Sequence, residues 1–418
     1  MCKRIGALVL ALLPFVVYGQ GSKLTYDSYD GLVMTGYQGW FGAPGDGAGR
    51  GWYHYTGKDG FKPGSCSVDY WPEVSEYAKL YETEFKFSDG TPAYTFSSYD
   101  FSTTDLHFRW MQEYGIDGAF MQRFISEIKR PKSKAHLDHV LRSAMTCAGN
   151  YNRAISVMYD LSGMQPGDEK VLLDDIDRLE KEYGMKKREN RSYLYHNGKP
   201  LVAVWGVGFN DKRAYGFKEA GIIIDGLRKR GYSILLGVPT YWREFGPDTE
   251  NNPELHILIK KCDVVMPWFV GRYNENTYPP FIELIRKDIA WCRENNLHYV
   301  PLAFPGFSWN NMKGPDSSRI PRNKGSFLWK QMSEAIRAGA GSLYIAMFDE
   351  IDEGTAIFKC ATEVPVGQPG STFVPLEPGL RPDHYLWLTG EAGKMLRKEI
   401  SPTTQLPVRP AHSEASKK

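Results

Sequence analysis

Leu343-Tyr344-Ile345-Ala346-Met347-Phe348-Asp349-Glu350-Ile351-Asp352-Glu353-Gly354-Thr355 joins an apolar run to four acids within five positions. The run has the length and composition of a buried strand, and the acids fall at its C-terminal end. Carboxylates beside apolar surface are costly unless they are solvated, hydrogen-bonded or used in chemistry. Seven similar runs precede this one, at 32–37, 118–121, 154–159, 200–205, 233–238, 263–268 and 299–304. Between them lie helical patterns at 105–114, 137–148, 169–183, 217–230, 254–261, 281–295 and 327–338.

Eight strands with interleaved helices predict an α/β fold, a (β/α)8 TIM barrel. The barrel is one domain over 20–400, with a long Gly-rich and aromatic insertion after the first strand, at 38–100. The rival, a doubly wound open sheet, would place a Gly-rich phosphate loop after the first strand, and none is there.

The 418 residues carry 51 basic and 49 acidic side chains, net +2, so nothing in the charge balance points to nucleic acid or an anionic membrane. Aromatics reach 14%. Aromatic faces stack on sugar C–H surfaces, and they also fill cores. The expected partner is a carbohydrate, and the expected state a monomer.

Lys3 and Arg4 precede an apolar stretch at 5–17, too short to span a bilayer, followed by Val17-Tyr18-Gly19. That is the pattern of a signal peptide at 1–19, implying a secreted or periplasmic protein. Cys2 lies before the apolar stretch, the wrong side for a lipoprotein anchor. No other segment approaches a membrane span. Residues 401–418 read as a flexible polar tail. Cys66, Cys147, Cys262, Cys292 and Cys360 are odd in number and widely spaced, neither a disulfide framework nor a zinc pattern. Buried free thiols are the expectation, with one bridge left open. His136 and His139, three apart on a helix, lack a third ligand and read as an exposed face. No metal and no cofactor is expected.

A barrel's active site lies at the C-terminal strand ends. Those ends carry Tyr37 and Trp40, Gln122 and Arg123, Tyr159 and Asp160, Trp205, Tyr241 and Trp242, Trp268, Trp309 and Asn310. Glu350 and Glu353 complete the ring as the expected catalytic pair. Tyr37, Trp40, Arg123, Tyr159, Trp205, Trp242, Trp268 and Trp309 are the expected substrate contacts. Plainer readings stand beside these. The glutamates can be ion-paired strand-end acids or first-turn acids of a helix. Each Trp can be packing, and Arg123 can pair with an acid inside the barrel mouth. No Gly-x-Ser-x-Gly elbow supports a hydrolase triad.

Phe348-Asp349-Glu350-Ile351-Asp352-Glu353-Gly354-Thr355 resembles the Phe-Asn-Glu-Trp-His-Glu-Gly-Thr signature of glycoside hydrolase family 99, the endo-α-mannosidases and endo-α-mannanases. Pro305-Gly306-Phe307, Arg322 with Gly325, and the Ala-rich helix at 335–340 follow that family's order. The resemblance covers about the last third of the chain. Family 71, of α-glucanases, is its neighbour, and "family 71/99-like" sequences are sometimes labelled xylosidases. The resemblance implies a (β/α)8 barrel, no metal, and retention of anomeric configuration. It implies that Glu350 deprotonates the substrate 2-hydroxyl, which closes onto the anomeric carbon as a 1,2-anhydro sugar. Glu353 would then protonate the leaving oxygen and later activate water. Ile351-Asp352 replaces the family's Trp-His, and Asp349 its Asn, so mannose specificity does not carry over. Two alternatives remain. One is a conventional glycosidase, of xylosidase or α-glucanase type, using Asp160 or Asp349 with one glutamate. The other is a barrel that binds glycans without turnover.

Overall fold

The structure, a computed structural model, describes residues 25–410. The expected signal segment and the last part of the expected tail, 411–418, lie outside the described residues.

The barrel strands are β1 (Val33–Tyr37), β2 (Gly118–Phe124), β3 (Ala154–Asp160), β4 (Lys199–Trp205), β5 (Ser233–Val238), β6 (Val264–Pro267), β7 and β8 (Leu343–Ile345). β7 is split into His298–Tyr299, paired with β6, and Leu302–Ala303, paired with β8. All neighbours are parallel, from β7 through β6, β5, β4, β3, β2 and β1 to β8 and back to β7. The split falls at Val300-Pro301, where proline has no N–H to give. Bonding continues across it, from Val300 N–H to the Val265 carbonyl and from Tyr344 N–H to the Pro301 carbonyl. The sheet therefore closes.

The surrounding helices are α1 (Phe101–Glu113), α2 (Pro131–Tyr151), α3 (Glu169–Tyr183), α4 (Phe217–Lys229), α5 (Glu254–Ile259), α6 (Pro279–Glu294), α7 (Ser326–Arg337) and α8 (His384–Leu396). Their sequences show why they form. α3 buries Leu172, Ile176 and Leu179 at helical spacing, and Gly184, at φ 58°, ends it in the left-handed conformation. α2 starts on Pro131, whose missing N–H costs nothing at the first turn. α8 is absent from the sequence reading. Its Thr389-Gly390-Glu391-Ala392-Gly393 stretch has two poor helix formers. Packing explains them in part: a Cβ on Gly390 would stand 1.9 Å from the Tyr114 carbonyl oxygen after α1.

The insertion contributes a hairpin, Tyr81–Lys86 with Pro92–Thr95, and an aromatic cluster of Phe41, Tyr55, Phe61, Trp71 and Phe96. It packs over the C-terminal mouth of the barrel through contacts described below. Residues 401–410 form no regular element, yet Arg409 places both terminal nitrogens on Asp383, at 2.6 and 2.8 Å. That bidentate pair ties the expected flexible tail to α8. All five described cysteines are free and buried. No helix among the described residues is long and apolar enough to cross a membrane.

Candidate active site

Side chains alternate between the two faces of each strand, so parity decides which ones reach the barrel interior. Tyr344, Gln122 and Met158 meet inside it: Gln122 Nε2 lies 3.1 Å from the Tyr344 hydroxyl, which approaches Met158 Sδ at 3.5 Å. The same parity carries Gln38, Asp160, Trp205 and Trp268 upward to one cavity of about 380 Å³. Trp40, His54, Met312, Glu350, Asp352 and Glu353 also line it. A second cavity of about 290 Å³ shares Trp205, Trp268 and Glu353 with the first and adds Trp309, Arg213 and Arg272. Of the expected site residues, Glu350, Glu353, Trp40, Trp205, Trp268 and Trp309 therefore come together.

Tyr37, Arg123, Tyr159 and Trp242 do not. Tyr37 is one residue out of phase with Gln38 and faces α1, its hydroxyl 2.8 Å from His107 Nδ1. Arg123 and Tyr159, register partners on β2 and β3, point outward together. Arg123 forks onto Asp175 of α3 at 2.8 and 2.9 Å and reaches Asp138 of α2 at 2.9 Å, while the Tyr159 hydroxyl donates to Asp175. Trp242 is buried beyond β5, with its indole N–H on Asp288 of α6 and its ring against Trp291. These four are packing and pairing residues, for a parity reason in the first three and a helix-facing loop in the fourth. His136 is also corrected: it is buried, with Nε2 2.8 Å from the Gly39 carbonyl oxygen.

The acidic loop after β8 folds back on itself. Thr355 and Ala356 N–H both donate to the Glu350 carbonyl, and Ile357 and Phe358 N–H to that of Phe348. Gly354, at φ 67°, permits the turn, and a Cβ there would lie 2.9 Å from Ser308 N. Arg322, buried between the Tyr70 and Tyr385 rings, donates to the carbonyls of Gly354 and Ala356 at 2.9 and 2.8 Å. From the insertion, Asp69 accepts from Ser308, from Asn310 N–H and from Asn311 N–H, bracing the segment that carries Trp309 and Met312.

The four acids have separate fates. Asp349 is fully buried and spends both oxygens on the N–H groups of Gln38 and Gly39, at 2.8 Å each, fixing the chain after β1. It does not line the cavity. Glu350 accepts from Gln38 Nε2 at 2.7 Å and from the Thr355 hydroxyl at 2.5 Å. Burial, then the charges of Glu353 and Asp352, hold its carboxyl well above the usual range, against those two donors. Glu353 is pushed up to about 7 by burial and by Asp352, with the Trp309 indole and Lys313 pulling the other way. Asp352 is pushed up to about 8, chiefly by burial, and its Oδ2 lies 3.0 Å from His54 Nδ1. Asp160, raised to about 6 by burial, accepts from Ser162 N–H at 2.7 Å. Neither cavity glutamate is in an ion pair within 4.0 Å among the described residues.

Sequence reasoning missed Gln38, Asp69 and Thr355 as site residues. Strand parity was enough to find Gln38, because it is in phase with Gly36, whose Cβ position meets Tyr344 and Met347 inside the barrel. Asp69 carries no local signal, since a long insertion sets its placement.

A closed (β/α)8 barrel with unpaired acids after β8 and indole walls is the class that fold and site define. Among solved structures, the fold is that of the family 99 endo-α-mannosidase from Bacteroides thetaiotaomicron. One structure of that protein matches with a TM-score of 0.64 at 16% identity, covering 89% of this chain and 99% of that one. Another, in complex with bis-tris-propane, matches with a TM-score of 0.63 at 17% identity and the same coverage. A glycoside hydrolase-like protein follows, with a TM-score of 0.50 at 16% identity, covering 78% of this chain and 94% of that one. No protein-family model and no curated protein matches the chain.

Proposed function

We propose that this protein is a glycoside hydrolase with Glu350 and Glu353 as its acid–base pair. One observation carries the reading: two carboxyl groups from a single loop line one indole-walled cavity at the C-terminal barrel mouth, with no ion pair within 4.0 Å among the described residues. Two acids that oppose each other's ionisation, Glu350 buried and Glu353 half-buried, hold a proton near neutral pH, as acid–base chemistry on a sugar requires. The fold likeness to a protein named as an endo-α-mannosidase supports the same reading.

In the retaining scheme that the motif resemblance implies, Glu350 takes the proton of the sugar 2-hydroxyl, whose oxygen attacks the anomeric carbon. The glycosidic C–O bond breaks, and Glu353 gives its proton to the leaving oxygen. Glu353 then takes a proton from water, which opens the 1,2-anhydro ring, and Glu350 returns its proton to the 2-oxygen. Glu350 is the better-anchored of the two, consistent with the base, and Glu353 faces both cavities, where a leaving group passes. The signal peptide expected at 1–19 supports an extracytoplasmic setting for this chemistry, with a polysaccharide or glycan as substrate.

Glu350→Gln and Glu353→Gln are each expected to lower turnover by ~10²–10⁴-fold, read as product release from a polysaccharide panel with α-mannans tried first. Near-normal turnover in either variant sinks the assignment. A second reading, a conventional pair using Asp160, is favoured by the place of Asp160 in the same cavity. Loss of turnover in Asp160→Asn, with release of the inverted anomer by NMR, would select it. Asp349 drops out of that alternative, since both its oxygens serve backbone.

A further inference from the structure

Asp352 belongs to neither catalytic role, yet it is held with care. Its side chain is 1% exposed and lines the first cavity. Oδ2 takes the bond from His54, while Oδ1 is buried without a hydrogen-bond partner among the described residues. The buried polar atoms left in the same condition include Gln38 Oε1, Trp40 Nε1 and Trp205 Nε1, all on residues that line the first cavity. Buried polar groups are normally satisfied, and an unpaired set converging on one cleft awaits a ligand that supplies the bonds. Acceptors and indole donors side by side suit hydroxyl groups, which both give and take.

His54 is built to orient Asp352. Its ring stacks on Trp40 with centroids 3.7 Å apart and planes 5° from parallel. Its backbone sits at φ 62°, a left-handed conformation that is uncommon for a residue with a Cβ and persists where surrounding contacts demand it. Burial, then the nearby Arg50 charge, holds the imidazole below its ordinary range, so it is neutral and one ring nitrogen carries a hydrogen. With Asp352 ionised, above about pH 8, a hydrogen on Nδ1 donates to Oδ2 and leaves Oδ1 for the ligand.

We infer that Asp352, oriented by His54 and Trp40, is a specificity-determining residue that hydrogen-bonds a ligand hydroxyl beside the glutamate pair. This rests on the glycan-site reading only in taking the natural hydroxyl to be a sugar's. The residue that sets the sugar would then come from the mismatch with the family motif, with its orienting imidazole supplied by the insertion 38–100.

The test uses bis-tris-propane as a hydroxyl-rich probe, with binding followed by calorimetry at constant pH, so that it does not depend on turnover. At pH 9, above the value of about 8 to which burial pushes Asp352, Asp352→Asn is expected to weaken binding by roughly tenfold or more, because it removes a charged acceptor from a desolvated site. Asp160→Asn removes one charge from the same cavity but not the unpaired acceptor, and is expected to weaken binding by less than about threefold. His54→Phe keeps the stack on Trp40 and loses the donor, and should fall between them. Equal weakening by Asp352→Asn and Asp160→Asn would reduce the effect to charge and overturn the inference. So would wild-type affinity in Asp352→Asn, or no binding by the wild type. Thermal melts of each variant confirm folding, and a misfolded Asp352→Asn is replaced by Asp352→Glu, which must also bind more weakly. Failure of the glycosidase reading appears separately, as turnover unmoved in Glu350→Gln and Glu353→Gln.

Discussion

Two clusters of buried and half-buried acids lie near the rim of this barrel, and they behave oppositely. Asp138 and Asp175, between the sheet and α2 and α3, face Arg123 and Arg178 in a closed network. Burial pushes the Asp175 carboxyl up, but Arg123 and Arg178 outweigh it and hold it below the usual range. Glu350, Asp352 and Glu353, a strand end away, have no Lys or Arg within 4.0 Å among the described residues, and all are pushed up despite the more distant Lys313 charge on Glu353. Burial is common to both clusters. The partner decides whether a buried acid is a permanent anion that braces structure or a group that trades protons near neutral pH.

The largest effect that can break this contrast is on turnover, where the glutamine variants of Glu350 and Glu353 are expected to be nearly inactive while an Arg123→Met protein, once folded, keeps its activity per molecule. If Arg123→Met lost turnover without losing stability, the outer network would belong to the site. The next effect is on stability. Arg123→Met strands Asp175 as a buried, under-compensated charge and is expected to cost roughly 3–5 kcal/mol in urea unfolding.

The third effect is a pH dependence with a defined sign. The folded-state value of Glu353 is about 7, raised above its ordinary 4.5, so the folded state holds the proton more tightly than the unfolded chain. Its contribution favours folding at low pH and is lost as pH rises from about 4.5 through about 7. Glu353→Gln should therefore raise the melting temperature at pH 8 relative to wild type, and do so less at pH 5. A constant difference across that window would mean that Glu353 is not raised. The smallest effect is at Tyr37→Phe, which removes one buried bond to His107 and should cost about 1 kcal/mol with turnover unchanged. A large loss of turnover there would return Tyr37 to the site.

The eight strands were legible because each is a short β-rich run with a helix before the next, and β7 was legible despite its break at Pro301. Helix α8 was not, because two glycines weaken its local signal and its reason is a close approach to Tyr114. At the site, the motif around Glu350 and Glu353 was readable from residue type and position. Trp40, Trp205, Trp268 and Trp309 followed from nearness to strand ends. Tyr37, Arg123 and Tyr159 fail for one reason: proximity to a strand end does not say which face a side chain takes, and one residue of phase sends it to the helices.

The sequence by itself determined the barrel and the identity of the acidic loop, since hydrophobic period and chain order act locally and survive without knowledge of contacts. Only the tertiary structure decided what each acid does. Asp349 ends on backbone amides, Glu350 on Gln38 and Thr355, and Asp352 on His54 from nearly three hundred residues away. A carboxyl's chemistry is set by the donors and charges around it, and in a closed barrel those arrive from strands and loops far apart in the chain.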